Sequence, residues 1–164
     1  MPGKISPVNG DPAQMTITVR RATAEELPEV ATLFAGYLDF YQRPAPRETI
    51  VAFLRERLDR GEAIVLLART ASGEPAGFVN VYPTFSSLSM APVWTLNDLF
   101  VAPAARRLGV GQALVRACAD EARAAGAIGV QLQTAPDNTS AQALYRAEGF
   151  EPDTFSAYYL ALPR

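Results

Sequence analysis

The stretch RRLGVGQAL, Arg106 to Leu114, places two glycines two positions apart where a loop gives way to a helix. Upstream, VWTLNDLFV reads as a long strand ending at Ala102-Pro103-Ala104-Ala105. Downstream, Val110, Ala113, Leu114, Ala117, Cys118 and Glu121 recur at helical spacing on a mostly apolar face. A strand that delivers a glycine turn into a helix suits an anion, because the first-turn N–H groups have no intrahelical acceptor and the helix dipole is positive at that end. Three phosphate-binding patterns compete. A dinucleotide fingerprint requires a third glycine, where Leu114 stands, and an acidic residue on a strand about twenty positions later, which is missing. A Walker loop requires lysine and a hydroxyl residue after its last glycine, where Gln112 and Ala113 stand. The third pattern is a pyrophosphate held by backbone amides, with Gly109 and Gly111 letting the backbone approach and Arg106 and Arg107 supplying charge. A plain strand-to-helix turn with solvated arginines accounts for the same residues.

The rest of the chain narrows the chemistry. Its 164 residues suit one domain, expected over residues 15–164 behind a disordered leader over residues 1–14 that lacks a signal-peptide core. Histidine is absent, Cys118 is the single cysteine and Lys4 the single lysine, which removes zinc sites, His-based triads, internal disulfides and Schiff-base chemistry. A net charge of -2 argues against a nucleic-acid partner, and the absence of a long apolar run argues against a membrane span. A cytoplasmic protein is expected.

Along the chain, TITVR alternates as a strand, and Thr23 with Glu26 three residues on forms a capping box. The helix it opens carries Leu27, Val30, Leu33, Phe34, Tyr37, Leu38 and Tyr41 on one stripe until Pro44 and Pro46. A second helix runs from about Arg47 to Arg60 with Ile50, Phe53, Leu54 and Leu58 inward. AIVLLART and AGFVNVY form an antiparallel hairpin, PTFSSLSMAP a polar loop, VQLQT a short strand, SAQALYRAE a helix and AYYLAL a last strand. The order predicts a mixed α/β sheet with helices on both faces.

A second motif decides among the readings of the first. The strand NDLFVAP, then Arg106, Gly109 and Gly111, then DNTSAQALYRAEGF from Asp137 to Phe150, resemble the GCN5-related N-acetyltransferase (GNAT) superfamily in two motifs at the family's separation. The segment YPTFSS with LNDLFV is nearest to its polyamine-acetylating branch. The resemblance covers residues 63–162 well and the N-terminal helices by type and order. It implies an α/β (α+β mixed) fold with a mostly antiparallel twisted sheet of six to seven strands, splayed between strands 4 and 5.

The resemblance also implies an activity and a site. The activity is transfer of acetyl from acetyl-CoA directly to a primary amine of a small molecule or peptide. Protein N-terminal acetylation and a non-catalytic acyl-CoA sensor remain alternatives. Backbone groups of Leu99, Phe100 and Val101 would meet pantetheine, and Arg106, Arg107, Leu108, Gly109, Val110, Gly111 and Gln112 would surround the pyrophosphate. Asn138 and Ala141 would line the pantetheine arm, and Arg146 would approach the distal phosphates, although it reads first as a solvent-exposed helix arginine. Tyr145 would protonate the departing thiolate, or else pack as a core tyrosine under Gly149 and Phe150; Asp98 is the best carboxylate to accept the amine's proton, and reads equally as an Asp satisfying a β-bulge or a cation near the splay. Asn97 stands where relatives of the polyamine branch carry Glu, and an amide is no base. That weakens polyamine specificity, because a polycation requires several carboxylates facing one cleft. Candidates for the acceptor side are Tyr37, Asp39, Tyr41, Tyr82, Thr84, Phe85, Ser86 and Asn97; each reads also as core or loop, and each aromatic on the helical stripe reads first as core. Cys118 reads as a buried small hydrophobe. Apolar edges such as AYYLAL suggest a homodimer, or a buried final strand.

Overall fold

The protein, seen in a computed structural model, is described over residues 16–163, so the expected leader and the start near Met15 lie outside the described residues. The elements are β1 (Thr18–Arg21), α1 (Leu27–Phe40), α2 (Arg47–Asp59), β2 (Ile64–Arg69), β3 (Pro75–Ser86), β4 (Ala91–Val101), α3 (Val110–Ala124), β5 (Val130–Leu132) and α4 (Thr139–Ala147). They build one sheet in the order β1-β2-β3-β4-β5, antiparallel through β4, with β4 and β5 parallel.

Strand β2 shows why both faces carry helices. Its apolar residues alternate between two cores, so no face can be left to water. Val65 and Leu67 pack with Phe78 against Leu27, Val30 and Phe34 of α1 and Ile50 and Leu54 of α2. Leu66 and Ala68 pack with Val79 and Val81 against Val110, Leu114 and Cys118 of α3 and Tyr145 of α4.

The capping box forms, with the Thr23 amide donating to Glu26 Oε2 at 2.9 Å. Glu26 does more than cap. Its buried carboxylate also accepts from Arg20 at 2.6 and 2.8 Å and from Arg69 Nη2 at 2.7 Å, tying the start of α1 to β1 and β2. Burial pushes this acid upward, but the Thr23 amide and the two guanidinium groups outweigh it and hold it at about 2.

Three expectations are corrected. Among the described residues the sheet has five strands, not six or seven, because residues 151–163 join no ladder. Gly149, at φ 89, turns the chain off α4, and Pro152 lacks a ladder donor. Phe155, Tyr158, Tyr159, Leu160 and Leu162 are all exposed, so AYYLAL is neither a strand nor buried here. The expected polar loop PTFSSLSMAP is mostly strand, since β3 and β4 pair out to Ser86↔Ala91 and only residues 87–90 turn. Phe53 faces outward beneath the Arg57 guanidinium, 5.5 Å from its ring centre, where cation–π attraction replaces core packing.

Because Glu26 is held below the usual 4.5, its contribution to stability is fully present above about pH 4.5 and disappears as the pH falls through about 2. Glu26→Gln should cost about 2 kcal/mol at pH 7 and flatten the acid-unfolding curve between those values. Denaturant melts at pH 7, 4 and 2 check this; an equal deficit at all three would contradict it.

Candidate active site

The site grows from a gap in the sheet. Parallel pairing of β4 with β5 is confined to Trp94↔Val130, Thr95↔Gln131 and Leu96↔Leu132. Beyond Leu96 the strands splay, and among the described residues the β5-facing backbone of residues 97–101 has no strand partner. A cleft opens there, lined by Asn97, Leu99, Phe100 and Val101 on β4, by Gln133 and Thr134 after β5, and by Asn138, Ala141, Leu144 and Tyr145 of α4. Unsatisfied strand groups beside an open slot suit an extended amide-bearing chain.

At one end of the cleft stand Arg106, Arg107, Gly109, Val110, Gly111 and Gln112. Arg107 and Gly109 are both left-handed, at φ 66 and φ 78, which coils the loop tightly into α3. The first intrahelical bond runs from the Ala113 amide to the Gly109 carbonyl, 2.9 Å, so the amides of Val110, Gly111 and Gln112 have no acceptor within the helix. Gly109 carries no capping side chain, and a Cβ built there would meet nothing within 4 Å. Gly111 has a different task. A Cβ there would come within 3.1 Å of Leu144 Cδ2, so this glycine lets α3 close on α4. Leu108 is exposed and does not line the cleft. Arg106 also donates a long bond, 3.4 Å, to the Val101 carbonyl. Free amides, a positive helix end and two arginines fit a pyrophosphate, and the splay fits the chain that follows it.

Helix α4 closes the cleft. Asn138 Oδ1 accepts from the Ala141 amide at 3.2 Å and caps α4, which leaves the Asn138 amide nitrogen as its free donor. Tyr145 is buried against Phe150, with ring centres 5.7 Å apart. Burial, then the nearby Tyr41, pushes its phenol up to about 12. Arg146 lines a separate groove along β5 with Val130 and Leu132, away from the loop arginines. Glu148, which the sequence did not single out, accepts from Gln112 at 2.5 Å and from Arg116 at 2.7 Å and clamps α4 to α3.

Asp98 lies behind the cleft wall, only 5% exposed. Asn80 Nδ2 donates to its Oδ2 at 2.8 Å and Asn97 Nδ2 to its Oδ1 at 3.1 Å. Asn80 also donates to the Tyr82 hydroxyl at 3.0 Å, while its own Oδ1 is buried without a partner. Asn80 escaped the sequence reading; the one available signal was a single amide inside the apolar run AGFVNVY. Tyr37 connects this cluster to the cleft, which it lines. Burial, the charge of Asp98 and a hydrogen bond to it push the Tyr37 phenol far above its ordinary value. Tyr41 stacks edge-on against Tyr37 at 5.0 Å and also lines the cleft. Tyr82, Asp39, Thr84, Phe85 and Ser86 do not line it, and Phe85 is exposed. Cys118 is fully buried, and burial, then Glu121, pushes its thiol up to about 11, which leaves it no nucleophile.

Residues 29–150 match the model of the acetyltransferase (GNAT) family. The chain is 40% identical over 148 residues to the uncharacterized N-acetyltransferase YhfO of Bacillus subtilis, covering 90% of this chain and 99% of that one. The crystal structure of a probable acetyltransferase superposes with a TM-score of 0.85 at 37% identity, covering 90% and 99% of the two chains. An aminoglycoside N-acetyltransferase in complex with CoA shares the fold, with a TM-score of 0.77 at 23% identity over 92% of this chain and 98% of that one. The splayed sheet, the open helix end and these matches agree: the chain belongs to the acetyltransferase (GNAT) family, an N-acetyltransferase whose acyl donor is acetyl-CoA.

Proposed function

We propose that the protein moves acetyl directly to a primary amine of a small molecule or peptide, with Tyr145 and Asp98 handling the two protons involved. One observation carries this reading: a single cleft runs from the loop arginines past Tyr145 to Tyr37, whose phenol is raised by the charge of the buried Asp98 carboxylate behind the cleft wall. Acetyl-CoA, when bound, supplies an activated thioester carbonyl. The amides of Val110, Gly111 and Gln112 with Arg106 and Arg107 hold its pyrophosphate, and Leu99, Phe100, Val101, Asn138 and Ala141 line its arm.

The chain's own groups do the rest. Tyr145, held protonated up to about 12, keeps at its hydroxyl the proton that a leaving thiol requires. A primary amine is an ammonium ion at pH 7 and must give up a proton before it attacks. Asn97 cannot accept that proton. Asp98 can, and because it lies behind the wall the proton passes by way of Tyr37, which lines the cleft and whose phenol responds to the Asp98 charge. Asn80 and Asn97 hold Asp98 in place. With Cys118 buried, the chain needs no acyl-enzyme, and positioning supplies the remaining rate.

Assembly belongs to the same reading. The outer edge of β5 is unpaired, and a groove of about 430 Å³ runs beside it between Val130, Leu132 and Phe150. The apolar segment Phe155–Leu162 has no cover of its own. A homodimer in which each protomer's segment pairs with its partner's β5 edge answers both needs. A cytoplasmic setting accords with an unpaired, buried cysteine.

Tyr145→Phe and Asp98→Asn should each lower kcat about 10- to 100-fold while changing the Kd for acetyl-CoA less than about threefold. Thiol release with an amine panel, alongside calorimetry, measures both; unchanged kcat would remove the assigned role, and tight binding without amine-dependent release would favour a sensor. Arg106→Ala with Arg107→Ala should weaken acetyl-CoA about three- to tenfold, less so in high salt. An equal loss at all ionic strengths would contradict a phosphate contact. Chains ending at Asp153 should be monomeric by light scattering where the full chain is dimeric; a monomeric full chain would overturn the dimer.

A further inference from the structure

The acceptor end of the cleft differs in chemistry from the phosphate end. Among the described residues none that lines the cleft is acidic, and the depression adjoining it adds only Asp137. Among the described residues the buried carboxylic acids named in the core are Glu26 and Asp98, and Glu26 is taken up by Arg20 and Arg69 near the other end of α1. One carboxylate therefore serves the acceptor. In place of further acids the wall offers the last turn of α1. There Tyr37, Phe40 and Tyr41 stand in succession, Tyr41 meeting Tyr37 at 5.0 Å and Phe40 at 5.1 Å, both edge-on. Phe40 is 61% and Tyr41 44% exposed, and both face the cleft and the adjoining depression.

Exposed aromatic rings at the mouth of a polar slot are costly unless something covers them, and three in contact form a surface that an apolar body would dehydrate. A polycation would bring several ammonium groups to a mouth with a single buried carboxylate and one at the rim, and the unpaired charges would lose hydration without compensation. Resting on the N-acetyltransferase reading above, we infer that the acceptor is a monoamine with an aromatic or bulky aliphatic body. Its ammonium group is directed to Tyr37 and Asp98, and its apolar body lies on Phe40 and Tyr41. A polyamine or an amino sugar is disfavoured.

The test compares kcat/KM for 2-phenylethylamine, tryptamine, butylamine, spermidine and kanamycin at saturating acetyl-CoA. The two arylalkylamines should exceed spermidine and kanamycin by at least about tenfold, the scale of one well-used apolar pocket. Tyr41→Ala and Phe40→Ala should each lower kcat/KM for the arylalkylamines about five- to tenfold, mostly through KM, and lower it less for butylamine. Both side chains are partly exposed, so the variants should fold, and an unchanged Kd for acetyl-CoA verifies it. Spermidine or kanamycin matching the arylalkylamines would overturn the inference while leaving the enzyme reading intact. Equal losses for butylamine and phenylethylamine would overturn the role of the rings. Acetylation of no amine, with acetyl-CoA bound, would overturn both readings together.

Discussion

The site depends on one extra residue in β4. Asn80 of β3 pairs with Asp98 and Val81 pairs with Leu96, which leaves Asn97 unopposed. A bulge of this kind shifts the side-chain phase by one, so everything beyond it changes face. Leu96 joins the core under α3, whereas Asp98 and Phe100 point to the side of α1, beside Asn80 and Phe78. In a regular strand Asp98 would share a face with Leu96 and be buried among aliphatic groups without a partner. The parallel ladder to β5 also ends at Leu96, so the bulge and the opening of the sheet coincide. A single insertion thus both opens the slot and delivers a carboxylate to its wall.

On the proposal that Tyr145 and Asp98 handle the two protons, that arrangement lets a chain without histidine do so. The phenol of Tyr145 and the carboxylate of Asp98 come from different elements, α4 and β4, and Tyr37 of α1 stands between them, its phenol affected by both. Burial raises both phenols and keeps them protonated, as the donor and relay of the proposed mechanism require. The clamp of Gln112 and Arg116 on Glu148 sets the distance between α3 and α4, and Gly111 permits it. Precision at the cleft is therefore a consequence of helix packing as much as of the loop.

What the sequence disclosed follows the range of the interactions. The glycine loop, the helix behind it and the capping box at Thr23 are local, and each was legible within a few residues. The placement of Leu99, Phe100, Val101, Arg106, Arg107 and Tyr145 on one cleft follows from two such local motifs. A bulge entered only as an alternative reading of Asp98, and its place at Asn97 was not legible, because LNDLFV reads as an unbroken strand until its partner β3 is known. Asn80 and Glu148 were missed for the same reason: their partners lie 18 and 36 residues away. Gly111 was assigned to phosphate approach, and only the packing of Leu144 reveals its other task. AYYLAL has the composition of a strand but no partner in this chain's fold, and composition cannot supply one.

The central claim is that the β4 segment opened by the bulge and the amides at the start of α3 hold one extended ligand. Amide hydrogen exchange with and without acetyl-CoA measures this directly. The account predicts new protection confined to residues 97–101 and 109–112, with a smaller effect at the start of α4. Protection that spares residues 97–101, or that falls chiefly on the groove beside β5, would contradict it.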